Sequence, residues 1–372
     1  MIKKPNWLTR STMMAGIIST SSLLADSDYN LPDPVSPLTR DVYDLHMLTT
    51  TIAFYIMVIV TAVILYAIFK FRKSSGYKAD QEFHKGSFGK YGWLLVPIIV
   101  LGIDLTIAGP GTKTLAKVEE HIPADITVKV IGSQWRWTYE YMEDDIKIVS
   151  NLVPKEKAGD MYLRAVDDHL VIPINTQVRF LHTATDVLHS WWVPALAIKK
   201  DSIPGYINET YTNADTEGTY YGQCAENCGT GHAFMPIKVE VLSKEKYAVW
   251  LEGRKAAAAE AAAEAASNKT WSQEELLAKG EAVYQKTCSA CHGATGEGIP
   301  NAFPALKGSP IATGSLADHM NIVINGKSGT AMAAWGPQLN DLELAAVITY
   351  ERNAWENNTG DTIQPSDVKQ AR

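Results

Sequence analysis

Cysteine is scarce in this 372-residue chain: four residues, in two tight pairs, Cys224/Cys228 and Cys288/Cys291. A scattered disulfide framework is therefore excluded, while both spacings are ones that metal and haem sites use. Lys/Arg-rich runs are missing too and the formal net charge is −7, which argues against nucleic acid as a partner. The mildly acidic balance suits a basic soluble partner, or simply solubility. No internal repeat is visible. What is present is an apolar excess, 46% hydrophobic against 20% charged, over a length beyond the ~100–200 residues of one compact domain.

Lys3, Lys4 and Arg10 precede a short apolar, Ser/Thr-diluted stretch from Met13 to Ala25, followed by Asp26 and Asp28. Residues 1–25 read as a signal peptide with Ala25 near the cleavage point; a retained N-terminus is the alternative. A membrane anchor over 26–120 follows. Residues 47–69 carry no charge and can cross ~30 Å of hydrocarbon. A second span, 91–108, is shorter, holds Asp104 and is closed by Gly109-Pro110-Gly111. Lys70, Arg72, Lys73, Lys78, Lys85 and Lys90 outnumber Asp80 and Glu82 between them, placing that loop in the cytoplasm and both chain ends outside. Asp104 is either a functional group at membrane depth or a residue of the outer interface.

From about Ile126 the pattern turns to short period-2 strands: ITVKVIGSQWRW, HLVIPI, QVRFLHT, INETYT, TYYGQ and PIKVEV. These predict an all-β sandwich or barrel over 121–252. An Ala/Glu-rich linker, 253–268, should be helical and semi-rigid. Residues 269–372 are helical in character, with Ser272 and Glu275 placed as a capping box.

Two stretches carry chemistry. Cys224, Cys228, His232 and Met235 crowd one loop, with His189 distant in DVLHSWWVP. Thiolates, imidazoles and a thioether favour copper over hard cations. One Cys would suffice for a mononuclear site, so the pair can bridge two copper ions, each taking one His, with Met235 and a backbone carbonyl as weak axial contacts. A disulfide, which would not need the His and Met, and a zinc site, which would not call for Met, are the alternatives. Cys288-Ser-Ala-Cys291-His292 is the C-x-x-C-H signature of covalent haem c (heme c). His292 would reach the iron from one side and Met332, in GTAMAAWG, from the other, with Met320 as the competitor.

Residues from about 30 to 251 resemble subunit II of haem–copper cytochrome c oxidases through QWRWTYEY (134–141), DVLHSWWVP (186–194), KKDSIPGYINE (199–209) and YYGQCAENCGTGHAFMP (220–236). The resemblance implies a two-helix transmembrane hairpin and an all-β cupredoxin domain holding the dinuclear copper centre CuA. Its ligands would be the side chains of His189, Cys224, Cys228, His232 and Met235 and the main-chain carbonyl of Glu226. The Glu226 carboxylate would help hold Mg²⁺ or Mn²⁺ against subunit I, and Trp135 would match the surface aromatic where electrons arrive, though a strand Trp is more often simply packed. Residues 270–357 resemble the all-α class I cytochrome c domains of bacteria. The fusion is similar to subunit II of caa-type oxidases.

That resemblance implies electrons passing from a cytochrome c or a cytochrome bc complex through haem c and CuA to the oxygen-reducing subunit I, with subunit III as a further partner. The setting would be a bacterial inner membrane, both extramembrane domains on the periplasmic face. This chain lacks the many-helix, His-rich core that oxygen reduction needs, so it supplies wiring to the enzyme. The small subunit of a CuA-containing nitric oxide reductase and a stand-alone membrane electron carrier are the other readings. Two positions depart from the family. Lys90 stands where an acid often lies near a proton channel, and Tyr206 where Arg commonly follows Pro-Gly. His46, His84, His121, His169 and His182 lack a ligand cluster, and His319 is expected to face solvent.

Overall fold

The structure, a computed structural model, describes residues 30–267, 269–300 and 302–372. The expected signal peptide lies outside the described residues. The chain forms two compact units, one running up to Pro123 with Val193–Lys199 and Thr210–Thr216, the other made of Ala124–Trp192, Lys200–Glu209 and Glu217–Arg372.

In the first unit, helix α1 (Pro37–Lys70) starts where the Ser36 hydroxyl accepts the Thr39 amide at 3.1 Å, with Pro37 fixing the first turn. Helix α2 (Ser87–Val118) follows, and Lys117 pairs with Asp41. Both helices are long and apolar enough to cross a membrane. The second does not stop at Gly109-Pro110-Gly111, as the sequence suggested. Pro110 removes one helical hydrogen bond, but the Thr112 hydroxyl donates to the carbonyl of Ala108 at 2.9 Å and the helix continues.

The strands are β1 (Ile126–Ser133), β2 (Arg136–Tyr141), β3 (Ile146–Ser150), β4 (Leu170–Pro173), β5 (Val178–Ala184), β6 (His189–Val193), β7 (Ile198–Ser202), β8 (Asn208–Thr212), β9 (Gly218–Cys224) and β10 (Pro236–Leu242). They form two sheets, ordered β3-β2-β1-β5-β8 and β4-β10-β9-β6-β7, with the pairs β1/β5 and β4/β10 parallel. ITVKVIGSQWRW is not one strand. It folds into a hairpin with Ser133 opposite Arg136, which puts Gln134 and Trp135 at the tip. Between the sheets lie Trp137, Tyr139, Phe180, Trp191, Leu170 and Ile237, all fully buried. Each such apolar side chain contributes about 1.5–3 kcal/mol. The Tyr141 hydroxyl donates to the Val171 carbonyl at 2.8 Å and accepts its amide at 3.0 Å, tying the sheets together.

A single turn, α3 (Lys155–Ala158), interrupts the strands. Helix α4 (Lys244–Ala265) begins before the Ala/Glu run and is docked on the sandwich by Arg254 against Asp168 and by Lys255 against Asp144 at 2.6 Å. The linker thus continues a helix already anchored by charge pairs.

The C-terminal helices are α5 (Gln273–Thr287), α6 (Ser289–His292), α7 (Pro310–Thr313), α8 (Leu316–Asn325), α9 (Asp341–Asn353) and α10 (Pro365–Ala371). The Ser272–Glu275 capping box is formed, the Glu275 carboxylate accepting the Ser272 amide at 3.0 Å. Helices α5 and α9 cross in close contact at Gly280, where a Cβ would stand 2.1 Å from the Ala346 carbonyl oxygen and 2.6 Å from Tyr350 Cβ. Backbone cannot yield there. Gly280→Ala should therefore destabilise this domain by about 3 kcal/mol, at or above the usual overpacking range; thermal unfolding that leaves its midpoint unchanged would refute the crossing.

Candidate copper and haem centres

The candidate copper donors converge from two neighbouring strands of one sheet and the loop that follows one of them. Strand β9 ends at Cys224, the loop to β10 carries Cys228, His232 and Met235, and His189 opens β6, whose Trp191 pairs with Cys224. The ligand atoms of His189, Cys224 and Cys228 all lie within 4.8 Å of one another. Cys224 and Cys228 are free thiols with sulfurs 3.9 Å apart. Nδ1 of His189 stands 4.0 Å from Cys224 Sγ, and Nδ1 of His232 stands 3.7 Å from Cys228 Sγ. Met235 Sδ is 3.5 Å from Cys228 Sγ, and the Glu226 carbonyl oxygen is 3.4 Å from Cys224 Sγ. Two sulfurs flanked by one imidazole each, with a thioether and a carbonyl beyond, form a donor set that fits a pair of copper ions.

Several groups hold these donors. Asp186 accepts Nε2–H of His189 at 2.9 Å, leaving Nδ1 to face the sulfur, and is itself fixed by the amides of Gln134 and Val187, each at 2.7 Å. Gly132 leaves room for that imidazole, since a Cβ there would come within 2.8 Å of the ring. The hydrogen bond from the Cys228 thiol pulls the Cys224 thiol well below its usual range and pushes Cys228 up. One thiolate is thus already favoured, the form that metals bind. Sequence reasoning passed over Asp186, although it stands three residues before the candidate ligand His189 in DVLHSW.

Trp135 is not a surface residue here. It is 8% exposed, its Nε1–H donates to the Cys228 carbonyl at 3.0 Å, and its ring lies so close over Gly231 that a Cβ there would fall 2.1 Å from Cδ2. The outer edge is covered by Phe303, edge-on at 5.6 Å between centroids. The cover comes from a residue 168 positions away (303 − 135), which no local pattern could announce.

At the haem motif, Cys288 caps α5 and is buried, while Cys291 and His292 sit on the single turn α6. The His292 Nδ1–H donates to the Pro304 carbonyl at 2.9 Å, so Nε2 is the nitrogen that could ligate a metal. The Tyr284 hydroxyl donates to the Gly293 carbonyl at 2.7 Å and holds the turn. Burial raises both the Cys288 and Cys291 thiols, the reverse of Cys224. Neutral thiols beside an oriented imidazole fit a thioether-linked haem better than a thiolate metal site. Met332 lies half-buried against the core that Cys288, Met320, Val323 and Trp335 share, while Met320 is inside it. His319 does not face solvent. It is 2% exposed, with Nε2 2.9 Å from Glu351, because α8 turns that side of the helix onto α9. Lys90 and Tyr206, the two departures, are exposed.

Three family models match the chain: cytochrome c oxidase subunit II, transmembrane domain, over residues 25–111; the periplasmic domain of the same subunit over 126–242; and cytochrome c oxidase, cbb3-type, subunit III over 275–350. "Probable cytochrome c oxidase subunit 2" of Rickettsia bellii (strain RML369-C) is 38% identical over 61% of this chain and 84% of its own length. The chain belongs to the cytochrome c oxidase subunit 2 family. Cytochrome c oxidase subunit 2 of Metridium senile is 36% identical over 64% of this chain and 98% of that protein, and that of Cereibacter sphaeroides 35% over 58% and 77%. Subunit 2 here carries an additional cytochrome c domain, and it is the electron-transfer subunit of a haem–copper oxidase that works with subunit I and a cytochrome c donor. Of the three readings open from sequence, family membership selects this one. Copper and haem are the groups its two extramembrane domains imply, and it is a membrane protein with a periplasmic domain.

Proposed function

We propose that this subunit 2 binds CuA through His189, Cys224, Cys228, His232, Met235 and the Glu226 carbonyl, and covalent haem c through Cys288, Cys291, His292 and Met332. When bound, a copper pair and a haem supply one-electron carriers that need little atomic movement. The chain's own residues hold them: Asp186 orients His189, the Pro304 carbonyl orients His292, and Trp135 bridges the two peptide regions. The observation that carries this reading is Trp135, bonded to the Cys228 carbonyl at one edge and packed on Phe303 at the other. It offers a route of packed atoms from the cytochrome domain to the copper loop. The finer setting goes with it: a bacterial inner membrane, subunit III as a neighbour, a cleaved signal peptide, and Mg²⁺ or Mn²⁺ at the Glu226 carboxylate, for which hard oxygen ligands are suited. The domain limits proposed are an anchor to 120, the cupredoxin to 252 and the cytochrome from 269.

Trp135→Leu should retain copper and haem and slow electron delivery between them. Stopped-flow or flash-reduction kinetics at full metal loading read this directly; an unaltered rate would move the route elsewhere.

A further inference from the structure

Next to Trp135, at the first position of β2, Arg136 is 8% exposed and points into the cytochrome domain. Its Nη1–H donates to the Thr287 carbonyl at 3.5 Å, its Nη2–H to Gln338 Oε1 at 3.1 Å, and its guanidinium carbon lies 4.5 Å from the centroid of Trp335. Thr287 immediately precedes the C-x-x-C-H motif, and Trp335 and Gln338 follow Met332. Gln338 is in turn fixed by its Nε2–H donating to the Ala334 carbonyl at 3.1 Å. One side chain of the copper domain thus holds both peptide segments that frame the haem site. Burial lowers its pKa, and Asp186 acts on it through its charge without a hydrogen bond to it among the described residues. A buried cation is costly unless hydrogen bonds and an aromatic face replace its water, and here the two carbonyl acceptors and the aromatic face come from the cytochrome domain, while Nε has no partner among the described residues.

We propose that Arg136 is a positioning residue that seats the tethered cytochrome domain on the copper domain, and that this docked state closes the Trp135 face to soluble donors. Electrons from outside then arrive at the cytochrome domain and not at Trp135. The inference rests on the route proposed above but tests apart from it. A planar guanidinium can stack on Trp335 and reach two acceptors at once, which an ammonium cannot do.

Hydroxyl-radical footprinting of Trp135 and Phe303, read by mass spectrometry on the full-length, copper- and haem-loaded protein, reports the seating independently of turnover. Arg136→Ala should raise labelling of both by about tenfold, the scale of one lost desolvated cation–π contact; Arg136→Lys should recover only part of the protection. Haem-to-copper transfer should slow in the same order. Labelling that stays at the wild-type level in Arg136→Ala overturns the proposal, even if transfer slows. Raised labelling with unchanged transfer upholds the seating and instead sinks the Trp135 route. Should Arg136→Ala fail to load copper, Gln338→Ala, which leaves β2 intact, carries the same test: increased labelling supports the seating and unchanged labelling overturns it.

Discussion

Cys224→Ser is expected to abolish the copper pair and leave haem c in place. A serine hydroxyl stays protonated where the thiol is already driven toward thiolate by its hydrogen bond from Cys228, and oxygen is a poor match for copper's preference for sulfur. Losing an outer hydrogen bond to a metal ligand typically costs 10–100-fold in affinity, so removing a proposed ligand sulfur itself should cost more than about 100-fold. The mixed-valence copper resonance should vanish, copper per chain should fall, and the haem absorption should be unaltered, because the haem motif stands on different helices. Oxidase turnover with a cytochrome c donor should fall with the copper. An unchanged copper resonance would remove Cys224 from the ligand set. Asp186→Asn is a milder companion, since it keeps shape near His189 while weakening the hold on Nε2.

The candidate copper loop was legible because five of its six candidate donors lie within twelve positions (224 to 235) and the fold adds only His189 from outside. The haem motif was legible for the same reason: three of its groups sit within one turn. Ser272 and Glu275 were readable because a capping box is a contact between residues three apart. What stayed hidden was set by long-range contact. Arg136 meets partners 151 and 202 residues away, and the cover over Trp135 comes from the second domain. The hairpin tip at Gln134–Trp135 was missed because QWRW alternates like a strand, and nothing in it has the Asn-Gly or Gly-Gly signature of a tight turn. Strands β6 (HSWWV) and β7 (IKKDS) were not read as strands because their polar residues break the alternation. For His319, a residue type of intermediate burial is paired with Glu351 inside the domain, a contact that spacing cannot reveal.

His292→Ala should have an effect of comparable size on the other centre, and a different signature. The Pro304 carbonyl holds Nδ1–H and thereby presents Nε2; alanine removes both the proposed iron ligand and that anchor to the 304 loop. The two thiols remain, so the expected product retains attached haem with an altered, ligand-deficient absorption spectrum. Losing the His292 side chain and its hydrogen bond to Pro304 should lower the unfolding midpoint of the C-terminal domain, because both contacts are made in the folded state. The sandwich has its own core of Trp137, Phe180 and Trp191, so its unfolding and its copper resonance should be unchanged. Two transitions in calorimetry, with only the haem-linked one shifted, would follow. If the haem spectrum of His292→Ala matched that of the parent protein, the iron would have another ligand on that side and His292 would be a structural residue of the 292–304 contact.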